Sequence, residues 1–252
     1  MKITPLSAGF GARIENLDLN RASVSDAAAL RAALVENGLL HIPGQEITPP
    51  QQIAASRIFG ELETFPCTRG QLAGMPEIFR VASRPEDGHV EVGRYWHSDG
   101  SFREVPTPIT IWSSVVAPPA GGETLFTDLR AAYDALEPEL RGRLEGLRTM
   151  HRNGVVHDLV LRHPVTGEPG LYLNMGLTAA MLDVDAAESA NLMRIIDRHF
   201  SRPGATYAHV WQSGDVVVAD NLRVAHKATP IAPRERRILN RTTIRSDAVR
   251  WS

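Results

Sequence analysis

The sequence has a single cysteine, Cys67, so no internal disulfide can form and the fold must rest on its core. That scarcity fits a reducing compartment and an expected cytoplasmic location. The N-terminal stretch "MKITPLSAGFGARIENLDL" lacks the long apolar centre of a signal peptide. No apolar run reaches the roughly 20 residues that span a bilayer, which argues against a membrane protein. An excess of either charge is missing too: 27 basic residues stand against 29 acidic ones, for a formal net charge of −2. Bulk charge therefore gives no support to nucleic-acid binding. Repeats, low-complexity tracts and linkers are absent. The 252 residues read as one domain over 1–252, a size that β-rich domains reach undivided.

What is present is a succession of short β-like segments with a few helices between them. Residues 25–37 read as a helix capped by Ser25, with Ala28, Leu30, Leu34 and Val35 as its apolar stripe, ended by Asn37-Gly38. "LLHIPG" reads as a buried strand, and a second helix starts near Thr48-Pro49-Pro50 and runs through "QQIAASRIF". Residues 128–147 carry a helical pattern that Pro138 breaks in two, and residues 185–200 another helix. "EIFRVAS", "ITIWSSVV", "ETLFTDL", "LYLNM", "DVVVADN" and "RRILNRTTIR" are rich in β-branched or aromatic residues and separated by Pro and Gly clusters. This order predicts a mainly β sandwich or barrel with flanking helices, not a parallel sheet.

Chemistry is suggested first by "RYWHSDGSF", residues 94–102. If the stretch begins extended, His97 and Asp99 point to one face, giving an imidazole and a carboxylate for a metal. His-x-Asp also arises by chance, and two ordinary polar residues are the alternative. A third ligand would come from elsewhere. His226 follows the β-like run "DVVVAD" and the turn pair Asp220-Asn221, and two imidazoles with one carboxylate suit non-haem Fe(II). Seven other histidines leave that choice open on spacing alone. Farther on, Arg237 and Arg241 lie four apart, on one face of a strand. An inward arginine needs an anionic partner, commonly a carboxylate, whereas on an exposed strand both would meet acidic side chains.

Taken together these residues resemble the TauD/TfdA family, the taurine and dichlorophenoxyacetate dioxygenases that depend on Fe(II) and 2-oxoglutarate. The resemblance runs over nearly the whole chain and is strongest in "WHSDGSF", "PPAGGETLFTDLRAAYDAL" and "DNLRVAHKATP…RERRILNRTTI". It implies a double-stranded β-helix, a cupin-like jelly roll, with iron at one mouth. By motif match His97, Asp99 and His226 are the iron ligands and catalytic centre. Thr124 in "GGETLF" binds 2-oxoglutarate. Arg237, eleven residues after His226, pairs with its distal carboxylate. Arg241 matches an arginine that meets the acidic group of the primary substrate. Tyr95 and Phe65 are candidates for the substrate pocket.

The resemblance further implies that O2 and 2-oxoglutarate are consumed, that succinate and CO2 are formed, and that a C–H bond of a small anionic metabolite is oxidised. Halogenases of related fold carry a small residue in place of Asp99, so the carboxylate points to hydroxylation, desaturation or cleavage. Phe65 stands where the taurine branch has a sulfonate-binding histidine, which argues against taurine. The segment "LRTMHRNGVVHDLVLRHP" looks shorter than the family's, so a reduced or rebuilt lid is expected. The family tends to associate, which leaves a homo-oligomer open. A jelly-roll binding protein without turnover would be expected to lack a ligand or the arginine, and here both are present.

Overall fold

The run Val216-Val217-Val218-Ala219 forms strand β15 (Val216–Asp220), which is buried along its whole length. Its apolar character on both faces follows from its place between two layers. In the computed structural model, which describes residues 1–6, 9–65, 70–90 and 93–252, β15 is central to a nine-stranded sheet. Cys67 lies outside the described residues. The sheet runs β1 (Lys2–Pro5), β2 (Ala12–Glu15), β3 (Leu39–Ile42), β15, β7 (Ile109–Val116), β17 (Ile238–Val249), β6 (Met75–Ala82) and β5 (Gln71–Leu72). A further strand, β4 (Gly60–Leu62), also pairs with β17.

A second, three-stranded sheet lies against its inner face, in the order β14 (Thr206–His209), β8 (Thr124–Asp128) and β16 (Val224–Ala228). Trp112, Val217, Ala219 and Leu239 of the large sheet meet Phe126 and Val224 of the small one. On the outer face, Leu40, Ile42, Ile111, Val216 and Val218 pack against Leu30 and Leu34 of α1 (Val24–Asn37), and α2 (Pro49–Ser56) closes the same layer. Alternate residues of each central strand thus serve two cores, one inside the roll and one under helices. This is the jelly-roll architecture, mainly β with flanking helices. Among the described residues no helix is long and apolar enough to cross a membrane.

The third core gathers Trp96, Leu171, Leu192, Ile196 and Phe200 beside α3 (Leu129–Asp134), α4 (Pro138–Leu144) and α5 (Ala186–Phe200). Next to them three strands from the segment expected to form a lid, residues 147–164, pair with two later strands in two small sheets. One is β10 (Val156–Asp158), β9 (Arg148–His151) and β13 (Thr178–Met181); the other is β11 (Val160–Arg162) with β12 (Pro169–Leu171).

Several local expectations change. Ser23 rather than Ser25 caps α1, in a reciprocal box with Asp26: the Asp26 N–H donates to Ser23 Oγ at 3.1 Å and the Ser23 N–H to Asp26 Oδ2 at 2.9 Å. Ala33 joins Leu30 and Leu34 in the buried stripe, while Ala28 faces solvent. Helix α2 stops at Ser56, short of Phe59. Pro138 does not interrupt a helix but starts α4 at its first position, where the missing N–H costs nothing. Of "LYLNM" only Leu171 is in a strand, because Asn174 accepts from the N–H groups of Gly176 and Leu177 and turns the chain.

Candidate active site

His97 lies outside any named strand, in a single bridge to His226 of β16. The His97 N–H donates to the His226 carbonyl at 3.0 Å and the His226 N–H to the His97 carbonyl at 2.8 Å. A reciprocally bonded antiparallel pair places both side chains on one face, and the two imidazole centroids are 4.2 Å apart. After His97 the chain turns instead of continuing extended. Asp99 nevertheless reaches the same side, with Oδ1 4.0 Å from His97 Nε2. One ligand atom from each of His97, Asp99 and His226 falls within a common 4.8 Å.

The donor set fits a divalent metal. His97 Nδ1 lies 2.9 Å from the Tyr95 carbonyl, which fixes its proton on Nδ1 and turns the Nε2 lone pair towards Asp99. Burial depresses the pKa of His97, and for His226 burial and the neighbouring His97 push it down to about 3, so both imidazoles are neutral. Burial alone would raise the Asp99 carboxyl, but the Arg241 guanidinium beside it more than offsets this and holds the carboxyl below its ordinary range. Asp99 Oδ2 and His226 Nδ1 are buried with no hydrogen-bond partner, so the cluster holds polar atoms that the protein itself leaves unsatisfied.

These groups line a cavity of about 260 Å³. Arg237 and Thr124 line the same cavity. Arg237 is 3% exposed, and among the described residues it makes no ion pair with a carboxylate. Its Nη1 donates to the Gly122 carbonyl at 2.6 Å, and its Nε is buried and unpaired. Burial, with nearby Arg94, lowers its pKa to about 10. Thr124 Oγ1 accepts from the Trp211 indole N–H at 3.0 Å, which leaves its own proton free to be donated.

Arg241 lines the cavity and gives Nη1 to Asp99 Oδ1, an internal acid, at 2.7 Å. Its guanidinium lies 4.9 Å from the Phe79 ring centroid and 5.7 Å from that of Phe65. Tyr95 and Phe102 line the cavity; Phe65 stands behind Phe79, its ring 5.4 Å away. Trp96 turns into the third core. Sequence reading did not single out Phe79, Trp112, Asn174 or Arg94. Only Arg94, three residues before His97, lay within a motif already in view.

The profile described as "Taurine catabolism dioxygenase TauD, TfdA family" matches residues 2–243. The chain is 32% identical to the (S)-phenoxypropionate/alpha-ketoglutarate-dioxygenase of Sphingobium herbicidovorans, covering 97% of this chain and 95% of that protein. It is likewise 32% identical to the alpha-ketoglutarate-dependent 2,4-dichlorophenoxyacetate dioxygenase of Cupriavidus pinatubonensis, over 97% of this chain and 98% of the other. Among solved structures it resembles a taurine dioxygenase from Burkholderia xenovorans, with a TM-score of 0.87 and 32% identity over 96% of this chain and 88% of that one. It also resembles AAD-2 in complex with Mn(II) and N-oxalylglycine, with a TM-score of 0.85 and 26% identity over 97% of both chains. The jelly roll, the convergent His-Asp-His set and these likenesses place the chain in the TauD/TfdA family.

Proposed function

We propose that residues 1–252 act as one Fe(II)- and 2-oxoglutarate-dependent dioxygenase unit, with His97, Asp99 and His226 holding iron and Arg237 and Thr124 holding 2-oxoglutarate. The observation that carries the assignment of the co-substrate is Arg237. A buried guanidinium without a carboxylate is costly unless a ligand supplies one, and this one lines the same cavity as the metal set. A dicarboxylate reaching from the metal to Arg237 satisfies both ends, with Thr124 donating its hydroxyl proton to the distal carboxylate. When bound, iron with 2-oxoglutarate and O2 supplies oxidative decarboxylation to succinate and CO2, coupled to oxidation of a substrate C–H bond.

The chain's own residues orient these partners. Asp99 is kept ionised by Arg241, and His97 is kept in its Nδ1–H tautomer by the Tyr95 carbonyl. The remaining wall, with Tyr95, Phe79, Phe102 and Leu177, is apolar and suits the carbon skeleton of a small substrate. The relatives named for phenoxypropionate and dichlorophenoxyacetate support a small organic acid as its class. Arg241, a cation of the cavity wall, would meet its charge. Phe65 in place of a histidine argues against taurine. Hydroxylation is the leading outcome. A relative named pentalenolactone F synthase, from Streptomyces arenae and 31% identical over 95% of this chain, favours desaturation or oxidative cleavage in biosynthesis as the second reading.

The test is a screen of small acids under air with Fe(II) and 2-oxoglutarate, following succinate and substrate mass together. A matched substrate should gain mass or lose hydrogen in step with succinate, and His97→Ala and Asp99→Ala should abolish both. Undiminished turnover in these variants would overturn the iron assignment.

A further inference from the structure

The molecule contains a second cluster of two imidazoles and one carboxylate, separate from the site above: His41, His209 and Asp215. His41 lies on β3, His209 at the end of β14, and Asp215 one residue before β15, so the cluster joins the large sheet to the small one. All three are buried, at 7%, 1% and 2% exposure. His41 Nε2 is 3.0 Å from Asp215 Oδ1, and His209 Nε2 is 3.2 Å from Asp215 Oδ2. The two imidazole rings stand edge to face with centroids 4.6 Å apart.

We infer that these residues form a second divalent transition-metal site, of the Zn(II) class, tying the two sheets together. The donor types suit zinc, whose ligand atoms, about 2.0–2.1 Å from a tetrahedral centre, lie roughly 3.3 Å from one another; here each imidazole Nε2 lies 3.0 or 3.2 Å from one oxygen of Asp215, and one ligand atom of each residue falls within a common 4.8 Å. A hydrogen-bonded network accounts for His41 but not for His209. Its Nε2 is fully enclosed and, although near Asp215, makes no hydrogen bond of acceptable geometry, so its lone pair or proton is aimed past the carboxylate. On the far side of the ring, Nδ1 lies 3.1 Å from the Tyr207 hydroxyl, the contact that orients a metal-binding imidazole.

The protons balance. With metal present each imidazole carries its proton on Nδ1 instead of Nε2, and none need be released. His209 then donates to the Tyr207 oxygen. Arg13, whose Nη1 lies 3.3 Å from His41 Nδ1, withdraws to Glu15, to which its Nε already donates at 3.2 Å. Arg13 is 41% exposed along its side chain, so its withdrawal also gives the ion a path from solvent. Three protein ligands leave one position, for water. No substrate cavity of the kind beside His97 is needed, and the role is structural.

The full chain, stripped with a chelator, dialysed against Zn(II) and desalted, should retain two zinc ions per chain by elemental analysis. The His97→Ala/His226→Ala variant leaves the second cluster untouched and should retain one, with a zinc-dependent rise in melting temperature of about 5 °C. Adding His41→Gln or Asp215→Asn to that background should remove both the ion and the rise. Zinc-free His97→Ala/His226→Ala protein would overturn the inference, leaving the cluster a hydrogen-bond network. Retention of zinc after the added substitutions would overturn it as well, by placing the ion elsewhere.

Discussion

Arg241 donates from Nη1 to Oδ1 of Asp99 across 2.7 Å, so an arginine of the cavity wall is also the counter-ion of a candidate metal ligand. The contact stabilises the charged carboxylate and leaves Oδ2 unpartnered for a cation. Arg241→Met should weaken anaerobic Mn(II) or Fe(II) binding by about 10–100-fold, the usual effect of removing a group that supports a ligand. Titration calorimetry checks this. An unchanged affinity would mean that the guanidinium serves the substrate alone.

Arg237→Met should separate stability from function. Losing a charge-assisted hydrogen bond to 2-oxoglutarate costs about 1.5–3 kcal/mol, so KM for the co-substrate should rise roughly 10–150-fold. The free protein should be no less stable by thermal denaturation, because a buried cation without a carboxylate is replaced by an apolar side chain. A large fall in melting temperature with KM unchanged would count against the co-substrate role.

Gly93 makes room for the His97 imidazole. A Cβ at that position would overlap His97 Cε1 and lie 2.6 Å from Nδ1 and 2.7 Å from Nε2. Gly93→Ala should therefore swing His97 out of place and abolish metal loading while far-UV circular dichroism stays native. Normal metal content in this variant would show that the ring has another position open to it.

The metal-free protein should be acid-labile above the carboxylate range. In the folded chain the His226 pKa is pushed down to about 3, against about 6.5 for an unfolded histidine. The unfolded state takes up its proton first, so this contribution is complete above pH 6.5 and is lost progressively as pH falls from 6.5 towards 3. Melting temperatures of apoprotein across that window should decline more steeply than those of His226→Gln. Parallel curves would show that His226 is not held neutral.

Removing the Thr124 hydroxyl with Thr124→Val strips an acceptor from the Trp211 indole as well as a donor from the cavity. The expected result is a loss of about 1 kcal/mol in stability and a several-fold rise in KM for 2-oxoglutarate, read by denaturant titration and steady-state kinetics. A rise in KM alone would mean that Trp211 finds another partner.

Legibility in the sequence followed the range of the interaction. The "VVVA" run, the Thr48-Pro49-Pro50 start and the Asn37-Gly38 stop are local signals, and each became the expected element because strand patterning and helix termini act over a few residues. The cap at Ser23 was misplaced because three serine or aspartate residues lie within four positions, and only the reciprocal bonds with Asp26 choose among them. Motif matching drew His97, Asp99, His226, Thr124 and Arg237 from distant parts of the chain, and all five line one cavity. Phe79 and Asn174 carry no motif and were invisible.

The sequence by itself determined the two cores on either side of β15, through residues that alternate between them, and the identity of the donors available to a metal. Only the tertiary structure decided which imidazoles meet. His97 and His226 are 129 positions apart and face each other because one antiparallel bridge pairs their backbones, while His41 and His209 meet because two sheets close over one another. It also decided the partner of Arg241, since the spacing that aligned it with Arg237 says nothing of a turn that carries Asp99 to 2.7 Å from it. Periodicity is a property of neighbours along the chain, and a site is a property of neighbours in space.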